Sequence, residues 1–94
     1  MYRVQPERRR YSGRIELDKQ PLDWIKHHAS FADRAWFESR VRYGLWKKER
    51  NQENCFIIYV DEFEGRKTIR IKIEIRKFST HVLVCHAHVL GKKN

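Results

Sequence analysis

The chain has 94 residues, with 21 Lys+Arg set against 12 Asp+Glu, a formal charge of +9 at pH 7. That length holds one small domain, residues 1–94, and an aromatic fraction of 13% with three Trp is more than a disordered polycation carries. No run reaches the roughly 18–20 apolar residues of a membrane span, and the arginine-rich N-terminus lacks the apolar centre of a secretory signal, so a cytoplasmic protein without a membrane partner is expected.

Residues 1–10 are expected to form a flexible basic arm, because Pro6 and the polar run around it disfavour regular structure. Arg3, Arg8, Arg9, Arg10 and Arg14 fall within a dozen residues, interleaved with Tyr2 and Tyr11 and opposed only by Glu7. A second basic run is Lys47, Lys48 and Arg50. Guanidinium forks match phosphate bidentately, neutralised phosphates release counterions, and tyrosines stack on unpaired bases. These eight cations are therefore the expected nucleic-acid contacts, with a solvated, solubilising arm as the bland alternative. An acidic membrane surface is a poorer partner, since no long amphipathic helix accompanies the arginines.

Tyr11 to Leu17 is compatible with at most a short edge strand ending near Asp18. Pro21 suits the first turn of a short helix carrying Leu22, Trp24 and Ile25 toward His27 and His28. Ser30 reads as the N-cap of a second helix, with Asp33 in its first turn and Gly44 as its stop. Ala32, Ala35, Trp36, Ser39 and Tyr43 fall on one stripe of it, with Phe37 and Val41 beside them, and the stripe should pack on a sheet. Trp24, Trp36 and Trp46 are expected as core aromatics.

Cys55 to Phe63 has the β-branched and aromatic run of a central strand. Thr68 to Lys77 alternates, with Ile69, Ile71, Ile73 and Ile75 to one face and Arg70, Lys72, Glu74 and Arg76 to the other. His81 to Leu90 makes a further strand, so the last half reads as a three-strand antiparallel meander. The fold class expected is α+β, N-terminal helices on one face of an antiparallel sheet.

A turn centred between Phe78 and Ser79 would set Arg76 opposite His81, Glu74 opposite Leu83 and Lys72 opposite Cys85. Arg70, Lys72, Glu74, Arg76, His81 and Cys85 would then share the open face. Cleavage of RNA through a ribose 2′-hydroxyl needs a base, an acid and cations around the phosphorane. His81 or Glu74 would move the proton, and Arg70, Lys72 and Arg76 would hold the phosphate. The alternative is a solvated strand face with cross-strand ion pairs. In the same register His86 and His88 point toward the isoleucine face, near His27 or His28, where a metal site is conceivable but hydrogen-bonded edge histidines are the simpler reading. A one-residue change would exchange the two faces.

Cys55 and Cys85 lack paired spacing and catalytic context, so free, inert thiols are expected. No Gly-rich phosphate loop, nucleophile elbow or zinc-finger spacing occurs, and no cofactor is called for. The layout of helices before a basic meander resembles the RelE/ParE-like superfamily of small ribonuclease toxins, including its MqsR branch. The likeness lies in residues Thr68 to Ile75 and His81 to Val89. It implies RNA, ribosome-associated messenger RNA in many members, as substrate, an acidic antitoxin protein as partner, and Arg70, Lys72, Arg76 and His81 as site residues of a metal-independent endoribonuclease. A non-enzymatic nucleic-acid-binding or regulatory module, and a small metal-binding protein using His86 and His88, are the alternatives.

Overall fold

The computed structural model describes residues 10–93, with the side chains of residues 92 and 93 left aside. The expectation of a basic arm therefore lies almost wholly outside the described residues, as do Arg3, Arg8 and Arg9. The elements run β1 (Arg14–Leu17), α1 (Lys19–His27), α2 (Arg34–Tyr43), β2 (Lys47–Lys48), β3 (Cys55–Glu64), β4 (Lys67–Lys77) and β5 (His81–Lys93). The strands form one sheet in the order β1-β5-β4-β3-β2. The fold is α+β, as the sequence predicts, with a mixed sheet in place of an antiparallel one, because β1 pairs parallel to β5.

The isoleucines of β4 build the core. Ile69, Ile71, Ile73 and Ile75 are 0–1% exposed, and burying each such side chain contributes about 1.5–3 kcal/mol. They meet Val82, Val84 and Ala87 of β5, Ile58 of β3, Ile15 of β1, and Trp24, Trp36, Phe37 and Val41 from the helices. Both helices lie on this face. Trp24 stacks on Trp36 at 5.8 Å and meets Phe37 edge-on, so Trp24 and Trp36 are the core aromatics expected. Trp46 packs on Tyr11 and Phe56, and its indole donates to the Val41 carbonyl at 2.9 Å.

Helix α2 starts later than the Ser30 cap predicts. The Asp33 carboxylate accepts from the Trp36 N–H at 2.7 Å, while the Phe31 and Ala32 N–H groups turn back onto the His28 carbonyl. Asp is as good an N-cap as Ser, and the turn that commits the Phe31 and Ala32 N–H groups to His28 leaves the cap to Asp33. The buried face is accordingly Trp36, Phe37 and Val41, and Ala35 and Ser39 of the expected stripe are exposed. Gly44 ends the helix as predicted, with its N–H on the Arg40 carbonyl. Where β3 leaves the apolar core, its inward acids take partners from the helices: Glu62 accepts from Arg40 and from the Trp36 indole, and Glu64 meets His28 at 2.9 Å.

Candidate nucleic-acid interface

With both helices on the isoleucine face, the opposite face of the sheet is uncovered among the described residues. Period-two alternation puts Arg70, Lys72, Glu74 and Arg76 there together. Strand pairing sets them in rows: Asp61, Arg70 and Gly91; Tyr59, Lys72 and His88; Ile57, Glu74 and His86; Cys55, Arg76 and Leu83. Arg70 and Arg76 thus bound a line about 20 Å long, at roughly 3.3 Å of strand per residue, with Lys72 and the carboxylate of Glu74 between them.

The register differs from that expected for the last hairpin. Phe78 donates to the His81 carbonyl and Lys77 pairs with Val82, so the turn centres between Ser79 and Thr80 and Arg76 faces Leu83. His81 is therefore not opposite Arg76. It stacks on Phe78 at 4.9 Å, its Nδ1 lies 2.8 Å from Thr80 Oγ1, and its Nε2 lies 3.9 Å from Glu16 of β1. The row of Arg76 and Leu83 separates it from Glu74.

A second difference changes the chemistry of the face. Between Ile75, which pairs with Val84, and Glu74, which pairs with His86, strand β5 carries one extra residue, Cys85. That bulge reverses the alternation beyond it. Ala87 goes into the core at 1% exposure, and His86 and His88 come out onto the open face. Their expected position on the isoleucine face, near His27 or His28, is thereby corrected. His28 instead stacks on Trp24 at 4.1 Å.

Gln20 of α1 holds the bulged segment. Strand β1 stops pairing at Leu17 and Val84, which leaves the edge of β5 away from β4 without a strand beyond it. Asp18 donates its N–H to the Val84 carbonyl, and the Gln20 amide both accepts from the Ala87 N–H at 2.8 Å and donates to the Ala87 carbonyl at 2.9 Å. One side chain thus takes the place of a strand beside the residue between the two histidines.

The result is a cluster absent from the expected register. Glu74 Oε2 lies 3.7 Å from His86 Nδ1 and 3.2 Å from His88 Nε2, while Oε1 lies 4.0 Å from Lys72 Nζ. The two imidazoles stack at 5.6 Å with an angle of 19°. The sequence carries a signal for this: the apolar positions fall on Val82 and Val84, then on Ala87 and Val89, so the phase slips by one at Cys85.

Around the cluster, Tyr59 stands 39% exposed, with Arg70 5.3 Å and Lys47 5.7 Å from its ring centroid. Lys47 and Lys48 form the short strand β2, which the sequence reading lacks. Arg14 is held by Glu16 at 2.8 Å, and the Arg10 N–H bonds to the Arg42 carbonyl. Arg10, Lys48 and Arg50 are exposed but make no approach to the cluster among the contacts described.

Beside the row of Arg76, a hollow of about 420 Å³ is lined by Cys55, Cys85, Glu74, Arg76 and His86 among others. Hydrogen bonding to the Cys55 sulfur raises the pKa of Arg76, which as a guanidinium is a cation in any case. Burial pushes the Cys85 thiol up, against the opposing pull of Arg76, so it is protonated at neutral pH. Both cysteines are free, as expected. No described helix is long and apolar enough to cross a membrane. Compared with protein-family models, curated proteins and solved structures, the chain matches none.

Proposed function

We propose that the open face binds single-stranded RNA and cleaves it without a metal ion, through attack of a ribose 2′-hydroxyl on the adjacent phosphate. The observation that carries this reading is the carboxylate of Glu74 between two exposed imidazoles, His86 and His88, with Lys72 against its other oxygen. One imidazole, with Glu74 stabilising its charged form, takes the 2′-hydroxyl proton, and the freed oxygen forms a bond to phosphorus. The bond to the 5′-oxygen breaks as the second, protonated imidazole donates its proton there. The products are a 2′,3′-cyclic phosphate and a 5′-hydroxyl. Lys72 and Arg76 stabilise the phosphorane, Arg70 and Lys47 hold flanking phosphates, and Tyr59 offers a base a ring to stack on.

This keeps Arg70, Lys72 and Arg76 in the phosphate-holding roles expected of them, gives proton transfer to His86 and His88 in place of His81 or Glu74, and leaves Glu74 to stabilise the charged imidazole. It is the chemistry that the RelE/ParE-like resemblance implies, and an acidic antitoxin covering the same cationic face is the matching partner. The test is cleavage of labelled RNA with EDTA present, by the wild type and by the His86→Ala, His88→Ala, Glu74→Gln and His81→Ala variants. The first three should lose activity, His81→Ala should retain it, and a 2′-deoxy substitution at the cut site should block it. Salt-sensitive binding with no cleavage by any form would leave the non-enzymatic module, and loss in His81→Ala alone would overturn the assignment.

A further inference from the structure

We infer that Glu74, His86 and His88 also form a binding site for a single divalent transition-metal ion of the zinc class. A four-coordinate zinc ion with bonds of 2.0–2.1 Å holds its ligand atoms about 3.3 Å apart. Glu74 Oε2 is already 3.2 Å from His88 Nε2 and 3.7 Å from His86 Nδ1, and all three ligand atoms lie within 4.8 Å of one another. Small side-chain rotations close that gap, and both histidines are exposed and so have room to make them.

The backbone beneath the site is fixed. His86 and His88 stand two apart on one strand, Glu74 pairs with His86 from the central strand, and Gln20 clamps Ala87 between the histidines. Lys72 approaches only Oε1 and leaves Oε2 for the ion. Two imidazoles with one carboxylate select zinc, cobalt, nickel or copper over magnesium and calcium, which take oxygen ligands. Three protein ligands on an open face leave the fourth position to water or a phosphate oxygen.

The site stands on this geometry alone, but its consequence rests on the cleavage reading. The ion occupies His86 Nδ1 and His88 Nε2, the nitrogens that face Glu74, and holds each ring neutral with its proton on the far nitrogen. Neither ring can then accept the 2′-hydroxyl proton or act as the charged acid, so the loaded protein is silent toward RNA and chelation releases it.

The experiment is a titration of the metal-free full chain with cobalt(II), followed by absorption, and with zinc, followed by calorimetry. The wild type should bind one ion per chain with the intense visible bands of four-coordinate cobalt. His86→Ala, His88→Ala and Glu74→Gln should each lose at least tenfold in affinity with unchanged circular dichroism, and Cys85→Ser should bind as the wild type does. Absence of the cobalt bands, binding that survives in the His86→Ala/His88→Ala double variant, or loss in Cys85→Ser would each overturn the site. In the RNA assay, stoichiometric zinc should stop cleavage and EDTA restore it; cleavage undiminished at full occupancy would overturn the silencing. The cobalt spectrum decides the site whether or not RNA is cut.

Discussion

Salt dependence tests which surface meets the nucleic acid. Lys47, Arg70, Lys72 and Arg76 are placed on the open face by strand pairing and ring contacts, and Arg14, on the same face at β1, is already paired with Glu16. For a single strand, each neutralised phosphate contributes about 0.7 to the slope of log affinity against log salt. Four contacts give a slope of about −2.8, a loss of roughly 50-fold in affinity between 50 and 200 mM salt. Any arginine at residues 1–9 that also touches RNA steepens the wild-type slope, so the informative quantity is a difference between proteins. The Lys47→Gln/Arg70→Gln double variant should be shallower by about 1.4, which reduces the loss over that range by about sevenfold. Fluorescence anisotropy of a labelled oligoribonucleotide across a salt series gives both slopes, with Lys26→Gln on the helical side as control. An unchanged slope in the double variant, or an equal change in Lys26→Gln, would show that RNA lies elsewhere and refute the assignment of the open face.

Tyr59→Ala should weaken single-stranded RNA binding by about 1–3 kcal/mol, roughly 5- to 150-fold, with Tyr59→Phe near the wild type and duplex RNA little affected in the same anisotropy assay. Gln20→Ala should cost about 1–3 kcal/mol in urea unfolding, because it leaves both backbone groups of Ala87 unpaired in a part-buried place; no change would mean that water replaces the clamp. Since burial raises the pKa of Cys85, its thiolate fraction near pH 7.5 is below that of an unperturbed thiol. Its alkylation by iodoacetamide should therefore be slower than that of a cysteine peptide and should accelerate as the pH rises. Peptide mapping by mass spectrometry separates it from buried Cys55, and a faster rate than the peptide would contradict the burial argument.

The elements governed by local pattern were legible in the sequence. Four isoleucines at alternate positions admit one strand and one buried face, and Gly44 suits the end of α2 because a side chain there would run into the Arg40 carbonyl and Ile58. The parallel pairing of β1 with β5 was not legible, since four residues cannot declare a distant partner or its direction. Strand β2 escaped for a related reason: two lysines carry no alternation, and only the edge of β3 makes them a strand. At the start of α2, the contest between Ser30 and Asp33 was settled by the turn that draws the N–H groups of Phe31 and Ala32 onto His28. For the site, the cations of β4 were legible because their strand is regular. His86 and His88 were misplaced because periodicity was carried through a residue that interrupts it, and His81 because the turn before it centres one residue later than expected.

That interruption decides what the face can do. Without an extra residue at Cys85, unbroken alternation would turn His86 and His88 toward Ile73 and Ile71, and two imidazoles would need partners inside an apolar core. Burying a polar group without a hydrogen bond costs about 1–3 kcal/mol by protein mutational measures, so the regular register is penalised twice. The bulge removes both penalties and sends Ala87, which fits against the isoleucines, inward. Its own cost is a break in the ladder with β4, while the β5 backbone just beyond it, left bare where β1 ends, is bonded by Gln20. The residues that lower the energy of the bulged strand are therefore also the residues that carry two imidazoles to Glu74. In this chain the packing of the core and the chemistry of the open face are settled by the same one-residue shift.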